Sequence, residues 1–273
     1  MPAIPFFKDA TPREIRLMRF FVAANGAVVV FCAVYLVRHY FDVGLRRPWL
    51  MLALLAGYFV ADFVSGAVHW GMETWFDERM LGRAVSIARE HHTHPSHVLL
   101  YGFLERSSFG SAPSAMVFGP IAVATSLLPV TALTYASMMV WFVVCLCMLF
   151  GMHFHNLAHR PARFAILRLA QRLHLVCPPA HHWIHHRQQT IHYCVVNGWA
   201  NYPCDRLQLW RALERLISAL TGAEPRADDL AWQIEFRQTG ILTAPRRKGS
   251  EAEPVADTQP ARYAGRLAAG GMP

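Results

Sequence analysis

The sequence predicts an all-α integral membrane protein with about four transmembrane helices and a cytoplasmic, histidine-rich helical cap. Apolar residues make up 54% of the chain and charged residues only 16%, whereas a typical soluble domain has about a quarter charged residues. Four apolar stretches approach the 20 or so residues that a helix needs to cross hydrocarbon. Fourteen of the fifteen histidines lie between His69 and His192, which indicates that this part of the chain contains a functional site.

The apolar stretches cover residues 20–37, 49–68, 112–128 and 133–152. Their glycines and prolines are tolerated in membrane helices. A tight, uncharged turn at Pro129 predicts that the third and fourth stretches form a hairpin across the membrane. A re-entrant hairpin is the alternative for this pair.

Basic residues predict the orientation. Arginines are frequent before the first stretch, between the second and third, and after the fourth. Because basic loops tend to stay inside, both termini and residues 70–111 are expected in the cytoplasm, beneath a bacterial-type inner membrane or its equivalent. The formal charge of +8 does not predict a nucleic-acid partner, because the arginines flank apolar runs and do not form clusters with exposed aromatics.

The remaining segments complete the predicted organisation. Residues 1–19 form a cytoplasmic N-terminal segment, residues 20–244 the membrane domain, and residues 245–273 a disordered tail without apolar periodicity. Within the domain, residues 164–176 mix apolar residues with arginines, as in a helix that lies in the interface plane. A strand-like stretch at 193–199 and a helix at about 207–220 follow.

The histidines fall into four groups, and on the predicted topology every group opens towards the cytoplasm. Separate segments that converge on one face predict a single site. His39, which stands apart, is expected to be an ordinary polar residue near the interface. The groups are His69; His91, His92, His94 and His97; His153, His155 and His159; and His174, His181, His182, His185, His186 and His192.

Spacing supports metal binding. Residues three or four apart share one face of a helix, which applies to His182, His185 and His186, to His155 and His159, and to His69 and Glu73. Imidazole binds Fe, Zn, Cu or Ni. Eight or more imidazoles exceed the needs of one tetrahedral zinc, so two metal ions with three to five nitrogens each are predicted.

Some candidates are open to a second interpretation. Asp62 lies inside the second apolar stretch, where an acid is costly and is therefore a functional candidate. Asp62 and Glu73 are expected to orient His69 as hydrogen-bond acceptors, although a buried hydrogen bond between helices would also explain Asp62. Pro95 interrupts any helix through His94 and His97, and His153 can be a neighbour of the site and not a ligand.

Missing motifs narrow the chemistry. The chain has no HExxH motif of zinc proteases and no ExxH pair of carboxylate di-iron bundles. It also lacks the GxGxxG and GxSxG motifs. An all-nitrogen iron site at a membrane surface remains, and its natural use is the activation of O₂.

Six segments resemble the Kua-type lipid desaturases. The resemblance covers residues 58–232. The segments are DFVSGAVHWGMETW at 62–75, REHH at 89–92, HHWIHH at 181–186, GWANYP at 198–203, LWRALE at 209–214 and LTGAEPRADD at 220–229.

The resemblance implies a di-iron desaturase that uses O₂ as co-substrate and acts on an intact membrane phospholipid. The GWANYP and PRADD segments favour the branch that acts on plasmanylethanolamine and forms the 1′-alkenyl (vinyl ether) bond of plasmalogens. Electrons would come from an external donor, a cytochrome of the b5 type or a ferredoxin-like protein, since no flavin, haem or iron–sulfur motif is visible. The lipid tail would enter between the second and fourth spans.

The resemblance also implies the site residues. His69, Glu73, His185 and His186 are expected to act in catalysis, and Asp62, Glu73, His174, His181 and His192 to support the metals or complete their coordination. The segment after His186 is one residue shorter than in the family, so the last family histidine is either lost at Thr190 or replaced by His192. The expected iron ligands are His69, His91, His92, His155, His159, His182, His185 and His186.

The sequence also allows two alternatives, another enzyme activity at the same metal site and metal transport. The same metal site could desaturate an acyl chain or hydroxylate a phospholipid. A metal transporter, which belongs to another class, would need ligands along a path through the middle of the bilayer. The histidines instead collect at one end of the apolar stretches.

Overall fold

The structure, a computed structural model, describes residues 10–44, 47–93, 95, 97–99, 101–159, 162–226, 241–242 and 255–256. These residues are mainly α-helical, as predicted. The helices are α1 Pro12–Arg38, α2 Leu52–Thr74, α3 Glu78–Leu81, α4 Arg83–Thr93, α5 Phe103–Pro113, α6 Gly119–Ser126, α7 Ala132–Leu149, α8 Gly151–Ala158, α9 Ala165–Arg172, α10 Pro179–Gln188, α11 Asn201–Arg206 and α12 Leu209–Thr221. Short 3₁₀ turns cover Pro48–Met51 and His97–Leu99, and π-helical turns cover Tyr40–Gly44 and Ser114–Phe118.

Three helices in the described part of the chain are long and apolar enough to cross a membrane: Pro12–Arg38, Pro48–Thr74 and Ala132–Leu149. They correspond to the first, second and fourth apolar stretches. The N-terminus of α1 is fixed by a capping box between Thr11 and Glu14, which satisfies two helix N–H groups that would otherwise lack acceptors. Apolar composition therefore predicts these three elements correctly.

The third apolar stretch is helical from residue 112 to residue 126, through the end of α5, the π-helical turn Ser114–Phe118 and α6. It is not among the three candidate spans, so the total of four spans is not confirmed. The turn that follows forms as predicted, and Thr131 begins α7 by accepting a hydrogen bond from the backbone N–H of Thr134.

The spans pack through small and polar residues. A Cβ atom at Gly110 would collide with the carbonyl oxygen of Met148, so glycine lets α5 approach the backbone of α7. Asn25 of α1 donates to the carbonyl oxygen of Cys145 at 3.0 Å and accepts from the hydroxyl of Ser114 at 2.9 Å. Such contacts hold helices together where no water competes.

The helices α4, α8 and α10 meet at the end of α2 that carries His69. The predicted helices near 164–176 and 207–220 are present as α9 and α12, and α12 ends at Gly222, which has a left-handed φ of 71°. Residues 193–199 form an irregular loop and not the predicted strand-like segment. Several of their backbone N–H groups bond to the side chains of Asp62 and Ser65 on α2.

The far C-terminal part contains two short strands, β1 Ile241–Leu242 and β2 Val255–Ala256, which pair antiparallel. The predicted disordered tail at 245–273 otherwise lies outside the described residues. Of its 29 positions the structure describes only the two residues of β2.

Candidate metal centre

Four helices bring the candidate ligands together. On α2, His69 and Glu73 lie one turn apart, with Nε2 of the first 2.9 Å from Oε1 of the second. The helix α4 contributes His91 and His92, α8 contributes His155 and its C-terminal neighbour His159, and α10 contributes His182, His185 and His186. All eight predicted metal-binding histidines thus meet at one place.

The first group consists of histidines alone. The Nε2 of His155 lies 2.9 Å from that of His182 and 3.0 Å from that of His159, and the Nε2 of His186 lies 3.1 Å from that of His182. The members, one ligand atom each within 4.8 Å of one another, are His91, His155, His159, His182 and His186.

The second group combines three histidines with a carboxylate. Its members are His69, Glu73, His92 and His185. Glu73 is central, because its Oε1 lies 2.5 Å from Nε2 of His92 and its Oε2 lies 3.4 Å from Nε2 of His185. The two groups adjoin, since the rings of His69 and His155 are 5.3 Å apart.

Backbone carbonyls fix the orientation of three of these rings. The Nδ1 of His69 lies 2.9 Å from the carbonyl oxygen of Tyr193, and the Nδ1 of His185 lies 2.8 Å from that of Ile191. The Nδ1 of His91 likewise contacts the carbonyl of Ala88 at 2.5 Å. A carbonyl only accepts, so each Nδ1 carries the proton and each Nε2 keeps a free lone pair for a metal.

Burial favours the neutral form of six of these histidines. It lowers the pKa of His91, His155, His182 and His186 well below the usual value, since a charged ring loses its hydration. Burial also lowers the pKa of His159 to about 3 and that of His185 to about 4. Neutral imidazole is the form that binds a metal.

The donor set fits two metal ions. In the first group, the Nε2 atoms of His155, His159 and His182 lie 2.9–3.2 Å from one another, and that of His186 lies 3.1 Å from that of His182. At these distances neutral rings would set lone pairs against each other unless a cation lies between them. The buried Nε2 of His91 has no hydrogen-bond partner among the described residues. Imidazole and carboxylate together suit iron, and nine donors exceed one coordination sphere.

Glu73, predicted as a supporting residue or possible ligand, lies inside the second group. Its carboxylate is as close to the histidines of that group as they are to each other. Sequence spacing placed Glu73 beside His69, and the convergence of α4 and α10 brings His92 and His185 to the same carboxylate. The two groups together therefore offer nitrogen donors and one carboxylate.

Asp62 does not orient His69, contrary to the prediction. Its fully buried carboxylate accepts hydrogen bonds from the backbone N–H groups of four loop residues, at 2.9–3.0 Å. These hydrogen bonds join α2 to a loop, and not to another helix as the second interpretation of Asp62 predicts. The donors are Val196, Asn197, Gly198 and Ala200.

Three histidines predicted as possible ligands form a separate cluster. His181 stacks on His192, with ring centroids 4.5 Å apart, and His174 lies 5.5 Å from His181. His192 contacts Asp205 at 2.5 Å through Nδ1. Neither described ligand group includes His174, His181 or His192.

Asn201 was missed as a contributor to the site. Its amide oxygen accepts from the backbone N–H of Cys194, and its Nδ2 lies within 3.0 Å of the carbonyl of Cys194 and of Nε2 of His181. It therefore ties α10 to the loop that holds His69. Its place in the GWANYP segment was the available signal.

Of the remaining histidines near the site, only the side chain of His153 is described. His153 faces Ser107 at 3.3 Å and lies outside both groups, as the neighbour interpretation predicts. His94 lies outside the described residues, and only the backbone of His97 is described.

An apolar cavity ends at both ligand groups. It lies between α2, α4, α5, the C-terminal end of α7 and α8, and its polar wall consists mainly of His69, His91 and His155. The apolar wall includes Val68, Met72, Ile87, Phe109, Met148 and Met152. The cavity thus joins the second and fourth apolar stretches, where the lipid tail was predicted to enter.

The fold and the site define a class: a mainly helical membrane protein with two adjoining sets of metal donors at the end of an apolar cavity. A lipid desaturase domain matches residues 58–228. The chain belongs to the lipid desaturase family and is an oxidoreductase.

The relatives described here match most of the chain. Plasmanylethanolamine desaturase 1 of Mus musculus is 35% identical over 203 residues, 70% of this chain and 73% of its own length. Plasmanylethanolamine desaturase of Myxococcus xanthus is 33% identical over 243 residues, 84% and 82%. The chloroplastic fatty acid desaturase 4-like 2 of Arabidopsis thaliana is 28% identical over 230 residues, 82% and 79%. No solved structure matches the chain.

Proposed function

We propose that the protein is a di-iron, O₂-dependent desaturase that forms the 1′-alkenyl bond of a plasmalogen from plasmanylethanolamine. The observation that carries this proposal is the apolar cavity at the C-terminal ends of α2 and α7, which is lined by His69, His91 and His155. These histidines belong to different ligand groups, so an alkyl chain in the cavity would reach both. The names of the mouse and Myxococcus relatives support the substrate.

Iron is the metal that the donors support best. Five histidines would hold one ion, and three histidines with Glu73 would hold the other. When bound, the two irons would supply the reduction of O₂ and the removal of hydrogen from an unactivated carbon. The reaction balances as one lipid CH₂–CH₂ unit, one O₂, two electrons and two protons giving one CH=CH unit and two waters.

The chain's own residues prepare the site for this reaction. The carbonyls of Tyr193 and Ile191 hold the protons on Nδ1 of His69 and His185, which keeps Nε2 free for metal. The Glu73 carboxylate supplies the one negative charge among the donors of the two described groups. Apolar walls exclude water from the reacting carbons.

The location of the site agrees with an ether-linked substrate. His69 lies near the C-terminal end of the span Pro48–Thr74, and C1′ and C2′ of the alkyl chain lie near the headgroup. We further propose that this end faces the cytoplasm of an inner membrane or its equivalent, because the basic segments flank it. An external donor of the cytochrome b5 or ferredoxin class would deliver the two electrons there.

Lipid analysis tests the proposal. The protein would be expressed in a bacterium that lacks plasmalogens and is supplied with alkyl ether lipid. The expected result is acid-labile vinyl ether, detected as released aldehyde, together with about two irons per purified chain. His182→Ala should abolish the product and lower the iron content. His153→Ala, two residues from His155 but outside both groups, is the matched control and should behave like wild type.

Other outcomes would overturn specific parts of the proposed function. A new acyl double bond without vinyl ether would assign the activity suggested by the name of the plant relative, and a hydroxylated lipid would assign hydroxylation. Full activity in the His182→Ala variant would remove the first ligand group from the mechanism. Metal uptake into intact cells without any lipid change would point to transport.

A further inference from the structure

Two irregular segments lie against the middle of the span Pro48–Thr74. The Tyr58 hydroxyl donates a hydrogen bond to the carbonyl oxygen of Leu175, and its ring contacts that of Trp199 with centroids 5.9 Å apart. One turn further along, Asp62 binds the backbone of the loop that contains Trp199. Residues 173–177 and 193–200 are therefore beside α2 well before its C-terminal end.

The length of the span fixes the depth of these contacts. A hydrocarbon core about 30 Å thick is crossed by about 20 helical residues, and the span has 27 residues. Wherever a 20-residue window is placed along it, residues 55–67 lie inside the hydrocarbon. That interval contains Tyr58, Asp62 and Ser65, so the segments bonded to them are also at bilayer depth.

The loop has the hydrogen bonding that such a depth requires. Asp62 accepts from four backbone N–H groups of the loop, and the Ser65 hydroxyl lies 3.1 Å from the N–H of Val195. The N–H groups of Cys194 and Trp199 bond to the side chains of Asn201 and Asn197. Every backbone N–H from residue 194 to residue 200 thus has a protein acceptor. Residues 193–198 and 200 are buried, and at bilayer depth no water is available to replace a missing acceptor, so full pairing of these N–H groups is required.

The outer face of residues 173–177 also fits hydrocarbon. Leu173 is 59% exposed and Leu175 46% exposed, whereas Val176 and Cys177 face inward and are buried. The preceding helix α9 carries exposed Arg168 and Arg172, which can extend to headgroups. The chain would therefore descend from an interfacial helix into the bilayer and return through α10.

We propose that residues 173–177 and 193–200 form a re-entrant element inserted into the hydrocarbon core. Leu173 and Leu175 face lipid acyl chains, and the single carboxylate of Asp62 keeps the inserted backbone hydrogen-bonded. The partner of this surface is the bilayer interior itself. The inference is independent of the lipid product and of the metal.

Thiol labelling measures the insertion. All six native cysteines are buried, so a charged, membrane-impermeant maleimide should react mainly with an added surface thiol. In nanodiscs the Leu175→Cys thiol is expected to react at least tenfold more slowly than that of Arg187→Cys, whose position is exposed at the end of α10. The difference should vanish in SDS. Equal rates in nanodiscs would place Leu175 in water and overturn the proposal.

A second variant tests the role of Asp62. In the Leu175→Cys background, Asp62→Ala removes the acceptor of four N–H groups and should raise the labelling rate in nanodiscs. Asp42→Ala, which removes an exposed acid in a π-helical turn, is the control and should not change it. If Asp62→Ala fails to yield protein, the comparison of Leu175→Cys with Arg187→Cys still decides the insertion. An unchanged rate in folded Asp62→Ala would contradict the role assigned to the carboxylate.

Discussion

The Nε2 of His91 lies 4.0 Å from Oε1 of Glu73, so the five-histidine group and the carboxylate-containing group are separated by less than one side chain. Two cations bound in adjoining groups would repel each other. Glu73 is the only carboxylate in either described group. We therefore expect occupation of both positions to depend strongly on Glu73.

Replacing Glu73 tests this dependence. Glu73→Gln keeps the size of the side chain but removes its charge, so the second metal position should weaken by at least about 100-fold, as far smaller changes around metal ligands already cost 10–100-fold. The expected iron content falls from about two to about one per chain, with loss of desaturation. Iron analysis of the purified protein measures this.

The conservative change separates charge from size. Glu73→Asp retains the carboxylate on a shorter side chain and should recover part of both the iron content and the activity. If the Gln variant kept two irons per chain, Glu73 would have no part in metal binding.

Narrowing the cavity should affect the substrate and not the metals. Val68 lines the cavity from α2, and Val68→Phe would fill part of the space for the alkyl chain. We expect at least tenfold lower kcat/KM with the iron content unchanged. Val30→Phe on the exposed face of α1 adds the same volume towards lipid and should leave kcat/KM unaltered. Loss of iron in Val68→Phe would instead indicate a distorted centre.

The close approach of α5 and α7 predicts a stability defect in one glycine variant. A Cβ atom at Gly110 would meet the backbone carbonyl of Met148, which cannot move aside, whereas a Cβ at Gly26 meets nothing within 4 Å. Gly110→Ala should destabilise the protein by about 1–3 kcal/mol through overpacking, seen as a lower Tm in detergent. Gly26→Ala should have an equal or higher Tm. Equal Tm values for both variants would show that α5 and α7 can separate freely.

Asn201 should matter although it lies outside both ligand groups. Asn201→Asp keeps an oxygen for the N–H of Cys194 but removes the amide donor that faces His181 and the Cys194 carbonyl. Unsatisfied buried groups cost about 1–3 kcal/mol each, so the Tm should fall and iron should dissociate faster. Arg206→Gln on the exposed surface of α11 should change neither. Wild-type Tm and iron release in Asn201→Asp would contradict the link between this amide and the centre.

The spans and most of the metal centre could be predicted from the sequence because their signals are local. Apolar length identifies α1, α2 and α7, and helical spacing pairs His155 with His159 and His182 with His186. Composition predicts that the third stretch is helical but not its change to π-helical geometry at Ser114–Phe118. That turn packs against α1 and α7, and no local sequence pattern reveals those contacts.

Composition and spacing alone established a helical membrane protein whose histidines gather at one end of the spans, because hydrophobic length and the 3.6-residue period are properties of neighbouring residues. The tertiary structure decided the rest. It divided the donors into two groups, placed Glu73 in the second, excluded His192 and directed Asp62 to the loop at 196–200. Those outcomes depend on which atoms from distant segments come within about 3 Å, and only the packing of α2, α4, α8 and α10 sets such distances.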